Sequence, residues 1–191
     1  RLTSGDFYTN EARVLADLVD EFAGDDIRIS INQGLQLRYV QEESLPYVYS
    51  VLKSINMVKP GFDSTLDVTS CPGTTTCNLG ISDSTHTAIE LEKFMAEKYP
   101  ELVFNNEIKI KISGCMNSCG QHSLAQIGFH GSSMKEKATK KVMPALQVLL
   151  GGGVTKDGGG RISDKIIKIP SRRVLSCLDL ILSEYKNNKN E

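Results

Sequence analysis

The residues of this chain best suited to chemistry are its cysteines, five in 191 residues. Cys71 and Cys77 have five residues between them, Cys115 and Cys119 have three, and 37 residues separate the two pairs. Four thiolates in two close pairs, each in a turn rich in small residues, suit a metal or iron–sulfur centre. Such a centre needs short ligand loops, close backbone approach and hydrogen-bond donors aimed at sulfur. Gly73, Gly80, Gly114 and Gly120 supply the small residues. Thr74, Thr75, Thr76, Asn78, Asn117 and Ser118 stand where they could donate to an anionic sulfur and offset its burial. Structural zinc usually takes pairs with about two to four intervening residues, so the first pair is too wide for a common zinc finger. Neither pair has the two-residue spacing of a redox disulfide, and the cysteine run of bacterial ferredoxins is absent. Cys177 falls in the apolar stripe of a C-terminal helix and is expected to be a buried small hydrophobe.

Other candidates are weaker. His86, His122 and His130 could be ligands or proton donors, but a lone histidine near a ligand loop is more often a structural hydrogen-bonding residue. The charged run from Lys135 to Lys141 reads as a solvated face, with a docking patch for a donor protein as its functional alternative. The glycine triplets starting at Gly151 and Gly158 lack the following Lys-Ser or Lys-Thr of a phosphate loop and are expected to be turns.

Composition narrows the classes further. With 22 Lys and Arg against 23 Asp and Glu, the net charge of −1 offers no basic excess for nucleic acid or an anionic membrane. No Trp and only 6 Phe and 6 Tyr leave little for stacking single-stranded bases. No apolar run approaches the roughly 20 residues of a membrane span. An odd, modest cysteine count fits a disulfide-stapled secreted domain poorly, so the expectation is a cytoplasmic protein. The first residues resemble neither a signal peptide nor a chain start with Met, which suggests a piece of a longer protein.

Several elements must position the cysteines. Val14, Leu15, Leu18, Val19 and Phe22 recur at helical spacing between a cap at Asn10 and a stop at Gly24. Ile27, Ile29 and Ile31 alternate with polar residues, as do Leu35, Leu37 and Tyr39, predicting two strands with one buried face. Ser44 is placed to cap a helix with Pro46 in its first turn and a stripe of Val48, Val51, Leu52 and Ile55. The Pro60-Gly61 breaker puts a boundary there, giving units 1–61 and 62–191. In the second unit, Leu66–Ser70 predicts a short strand entering Cys71, and Ser84 the cap of a helix ending before Pro100. Ile108, Ile110 and Ile112 alternate with Lys109, Lys111 and Ser113 in a strand leading to Gly114 and Cys115. Further strands are expected at Ile127–Phe129, Leu146–Leu150 and Ile166–Ile169. A helix from Ser171 and a polar, frayed tail from Lys186 follow. The fold class is α+β, an α/β half-domain followed by an α+β domain.

Three runs carry a family resemblance: Cys71-Pro-Gly-Thr-Thr-Thr-Cys77, Ser113-Gly-Cys-Met-Asn-Ser-Cys119-Gly, and Ile127-Gly-Phe-His-Gly131. They resemble the paired-cysteine signature of the sirohaem-dependent sulfite and nitrite reductases. Upstream, Ile27-Arg-Ile-Ser-Ile-Asn-Gln33 followed by Leu35-Gln-Leu-Arg38 is similar to the strand motif of that family's ferredoxin-like half-domain. The resemblance implies that Cys71, Cys77, Cys115 and Cys119 ligate a four-iron four-sulfur cluster, with Cys119 shared between cluster and sirohaem iron and Asn117 at the macrocycle's edge. It implies that Asn32 and Gln33 face the macrocycle. The implied activity is six-electron reduction of sulfite to sulfide or nitrite to ammonia, fed by an electron-donor protein or reductase subunit. Family chains have two pseudo-symmetric halves. The presence of all four cysteines, and Asn32 where the first half has Arg, mark this chain as the C-terminal half, implying the N-terminal half as its partner and an inactive isolated fragment. The competing expectation is a noncatalytic four-cysteine module binding zinc or an iron–sulfur cluster.

Overall fold

A computed structural model of the chain describes residues 1–24 and 26–188. The first unit pairs helix α1 (Thr9–Phe22) and helix α2 (Leu45–Ser54) with a two-stranded antiparallel sheet, β1 (Ile27–Ile29) and β2 (Leu35–Leu37). Leu15, Leu18 and Val19 give α1 its buried stripe. Its boundaries differ from expectation: Tyr8 precedes the first turn, its N–H donating to the Glu11 carboxylate, and Ala23 rather than Gly24 ends the helix. Only Val48 of α2 is fully buried, and the side chain of Ser44 makes no capping bond.

The expected buried face of the isoleucine strand is not there. β1 is exposed throughout, Ile29 is 83% accessible, and Ile31 lies beyond the strand at 69%. An alternating pattern establishes that one face is meant to be apolar; it does not say that the covering surface belongs to the same chain.

The second unit is built on a five-stranded sheet in the order β3 (Thr69–Ser70), β4 (Ile110–Ser113), β5 (Ile127–Lys135), β6 (Val142–Leu150), β9 (Asp164–Pro170). β3, β4 and β5 run parallel; β5, β6 and β9 are antiparallel neighbours. Between β6 and β9 lies a small hairpin of β7 (Gly153–Val154) and β8 (Gly160–Arg161). Helix α3 (Ser84–Lys98) crosses from β3 to β4, and helix α4 (Val174–Asn188) follows β9. Together they bury Leu91, Met95, Leu178 and Leu182 against Ile110, Ile112, Phe129 and Val148. α3 is capped by Asp83, one residue before the expected Ser84, through a 3.0 Å bond from the His86 N–H. The run from Lys135 to Lys141 is the exposed turn of the β5–β6 hairpin. The polar tail begins as helix through Asn188, and 189–191 lie outside the described residues.

β4 departs most from the alternation. Lys111 and Ser113, the polar positions of the alternation, are 6% and 1% accessible. A strand with a parallel neighbour on each side is covered above and below, so its polar positions are buried as deeply as its apolar ones.

Burial sets the expected mutational pattern. Leu178→Ala, in the fully buried layer, should cost about 2–5 kcal/mol, whereas Ile166→Thr on the half-exposed outer strand should stay within about 0.5 kcal/mol. Urea unfolding of both variants measures the contrast.

Candidate metal and cofactor site

Both cysteine segments leave the carboxyl ends of adjacent parallel strands, the end at which open sheets of this kind bind ligands. β3 and β4 pair Thr69 with Lys111 and Ser70 with Ile112, so Cys71 emerges level with Ser113 and Gly114. The Cys71 N–H donates to the Ile112 carbonyl at 3.2 Å, and the Gly114 N–H donates to the Cys71 sulfur at 3.0 Å. Parallel β4 and β5 cannot be joined by a tight turn. The crossover that topology demands is residues 114–126, and it carries Cys115 and Cys119 over the strand ends.

The two loops touch backbone to backbone. The N–H groups of Ile81 and Ser82 donate to the Gly114 carbonyl at 2.8 and 3.1 Å, and that of Gly120 to the Ser113 hydroxyl at 3.0 Å. A Cβ on Gly114 would sit 2.5 Å from the Gly73 Cα, and one on Gly120 2.1 Å from the Ile112 carbonyl oxygen. Gly73 itself has φ +55° against the Ser84 hydroxyl. These glycines are required because two ligand loops share one small volume.

All four cysteines are free thiols: Cys71 and Cys115 are half-buried, Cys77 and Cys119 exposed. Asn117 is exposed on the same loop. As the side chains stand, no group of three or more His, Cys, Asp or Glu among the described residues is arranged to hold a metal ion. Four reduced sulfurs on loops meeting at one edge, one already accepting a backbone N–H, are a donor set that fits an iron–sulfur cluster. The donors to sulfur differ from those expected. Gly114 N–H and the Ser84 hydroxyl, 3.5 Å away, approach Cys71, while the Ser118 hydroxyl meets Ser123 instead. Ser84, expected only as a helix cap, lies thirteen positions from Cys71 and approaches its sulfur from the first turn of α3.

Asn32 and Gln33 do reach this region, but their amides are engaged within the chain. Gln33 donates to the Ser70 carbonyl at 2.7 Å and accepts from the Ser70 N–H at 2.9 Å, gripping the residue before Cys71. Asn32 donates to Asp63 at 2.5 Å and accepts from the Lys111 ammonium at 3.0 Å. Thr69 and Gln121 also accept from Lys111, both at 3.1 Å, and burial pulls the lysine pKa below its ordinary value. A cleft of about 440 Å³ beside the Cys71 loop is lined in part by Gln33, Gly34, Pro72, Thr75 and Thr76.

Two histidines lie beneath the Cys119 loop. His122 and His130 pack with ring centroids 4.8 Å apart and planes tilted by 43°, and are 3% and 8% accessible. His130 Nδ1, 3.0 Å from the Gly131 carbonyl oxygen, carries the proton of the neutral ring. Burial, then the neighbouring ring, pushes the His122 pKa down to about 4, and burial lowers that of His130. His86 is exposed and pairs with Asp83 at 2.7 Å. Cys177 is half-buried at the core's margin, its pKa raised by burial.

Comparison with known proteins decides the family. The model described as "Nitrite and sulphite reductase 4Fe-4S domain" matches residues 61–191, and "Nitrite/Sulfite reductase ferredoxin-like half domain" matches 1–55. The chain belongs to the nitrite and sulfite reductase family. The cofactors that membership indicates are a four-iron four-sulfur cluster and sirohaem. A ferredoxin–nitrite reductase of Synechococcus elongatus is 26% identical over 157 residues, covering 82% of this chain and 29% of that protein. A sulfite reductase [ferredoxin] of Mycolicibacterium paratuberculosis is 24% identical over 181 residues, covering 93% and 32%. In fold, the chain is similar to the NirA protein of Mycobacterium tuberculosis, with TM-score 0.79 at 23% identity, covering 98% of this chain and 34% of that one. The chain thus spans about a third of the length of these relatives. Among the described residues no helix is long and apolar enough to cross a membrane.

Two outcomes follow from the geometry. Gly120→Ala should destabilise the domain by about 1–3 kcal/mol and lower its iron content, because the methyl meets a fixed carbonyl; thermal unfolding and iron assay measure both. His122 binds its proton more weakly folded than unfolded, so its contribution is fully present above pH ~6.5 and lost as pH falls towards 4. His122→Phe should therefore remove up to about 1.4 kcal/mol per pH unit of acid sensitivity in that window, read as the wild-type minus variant difference in stability.

Proposed function

We propose that this chain is the C-terminal half of a sirohaem and iron–sulfur reductase that reduces sulfite to sulfide or nitrite to ammonia. The observation that carries the reading is the meeting of two glycine-packed cysteine loops at the ends of paired parallel strands, with the Cys71 sulfur bonded to a backbone N–H. In this reading Cys71, Cys77, Cys115 and Cys119 hold the cluster, Cys119 is shared with the sirohaem iron, and Asn117 lies at the macrocycle's edge. Asn32 and Gln33 act from behind, fixing the strand before Cys71. Bound together, the two cofactors would relay electrons from a donor protein to the anion in a six-electron reduction.

The chain's own part is to hold four unpaired cysteines accessible enough to ligate, to direct the Gly114 N–H at the Cys71 sulfur, and to exclude side chains from the loop contact. The division near residue 61 is supported by the Pro60-Gly61 break and by the two family models ending and starting on either side of it. An N-terminal half as partner is supported by the chain's one-third coverage of its relatives and by the exposed Ile29 on β1 and Ile31 just beyond it, which are suited to a second apolar surface. Electrons from a ferredoxin-type donor fit the names of several relatives, and a reductase subunit fits one from Mannheimia succiniciproducens named as a hemoprotein beta-component.

Anaerobically purified protein should contain five iron atoms per chain, four in the cluster and one in the sirohaem, and a macrocycle absorption band that shifts when the cluster is reduced; Cys119→Ser should abolish the shift while the fold, read by circular dichroism, persists. One tightly bound zinc and no iron would instead favour the noncatalytic module.

A further inference from the structure

We propose that Lys111 is the positioning residue of the cysteine site, a buried ammonium that ties both ligand loops together and offsets the charge they gather. The inference rests on the cluster assignment above. Lys111 is 6% accessible, and its three N–H groups have three oxygen partners, Asn32 at 3.0 Å and Thr69 and Gln121 at 3.1 Å. Each partner belongs to a different segment. Thr69 stands two residues before Cys71, Gln121 two residues after Cys119, and Asn32 in the β1–β2 turn of the first unit; Lys111 itself is four residues before Cys115.

Charge makes the choice of residue informative. All three partners are neutral, and among the described residues no carboxylate lies at ion-pair distance from Lys111. Asp67 and Asp63 act on it from further away, Asp67 beside Arg1 and Asp63 paired with Lys109, itself a repelling neighbour. An ammonium desolvated against neutral oxygens is costly, and an apolar side chain of the same length would serve a purely structural strand more cheaply. The cation is useful if the site whose loops it ties becomes anionic, as four thiolates around a cluster do. A nearby positive charge favours the reduced cluster, because reduction adds a negative charge.

The test compares anaerobically purified wild type, Lys111→Met, Gln121→Asn and the double variant. Asn is too short to reach the ammonium yet tolerates the left-handed φ of +60° at position 121. Lys111→Met should lower the cluster's midpoint potential in an EPR-monitored titration by about 59 mV, a tenfold fall in the reduced-to-oxidised ratio for a one-electron couple, and release iron to a chelator about tenfold faster. Gln121→Asn should also speed release, and the double variant should be no faster than Lys111→Met alone, since both break one link. Lys111→Met with wild-type potential and release overturns the proposal, and so does full additivity. If Lys111→Met does not fold, Gln121→Asn decides: faster release at unchanged melting temperature supports the tie, and wild-type release refutes it. Wild type without an iron–sulfur cluster would sink the functional reading as well, whereas a loaded wild type with an indifferent Lys111→Met sinks this proposal alone.

Discussion

The candidate site depends on the parallel pairing of β3 with β4. That ladder is short, with Thr69 opposite Lys111 and Ser70 opposite Ile112, yet it determines that Cys71 and Gly114 leave the sheet at the same end and height. The bond from Gly114 N–H to the Cys71 sulfur, the Gly73–Gly114 contact and the Gly120–Ile112 contact all require that register. A slip of one residue would turn the two loops to opposite faces. Because so short a ladder contributes little, other groups reinforce it. Gln33 holds both backbone atoms of Ser70, Lys111 holds Thr69, and the helices bury Ile110 and Ile112 beneath.

This division of labour explains why the first unit is packed where it is. Its β1–β2 turn delivers Asn32 and Gln33 to the strand that precedes the first cysteine. Arg1 joins the units further, its guanidinium bonded to both oxygens of the buried Glu92 carboxylate on α3. The half-domain is therefore a buttress for the cysteine strand as well as a bearer of exposed apolar surface.

Much of this was legible in the sequence, for physical reasons that vary by element. The α1 stripe and the four-cysteine pattern were clear because helical period and ligand spacing are local signals. The β5–β6 hairpin was seen only as two fragments, since Gly128, Gly131, Ser132 and Pro144 interrupt any apolar alternation. The burial of Lys111 was not legible because alternation cannot tell water from a neighbouring layer. Ile29 failed in the opposite sense, an apolar position without a cover in this chain. The contacts of Ser84 and Gln121 and the packing of His122 on His130 were hidden for another reason: they join segments far apart in sequence or come from crossover geometry, which no window of residues contains.

The two-residue length of β3 has a further consequence, for the unfolded chain. Bringing residue 71 beside residue 114 closes a long loop, and the entropy lost in doing so is offset in the protein alone by a two-position ladder, a few loop hydrogen bonds and the burial of Val68, Ile110 and Ile112. A group ligated by Cys71 and Cys119 would cross-link that loop and remove much of its freedom from the denatured ensemble, as a disulfide does in a small secreted domain. Such a ligand would be a covalent staple of the fold, so that loss of the metal and loss of the β3 edge become a single event.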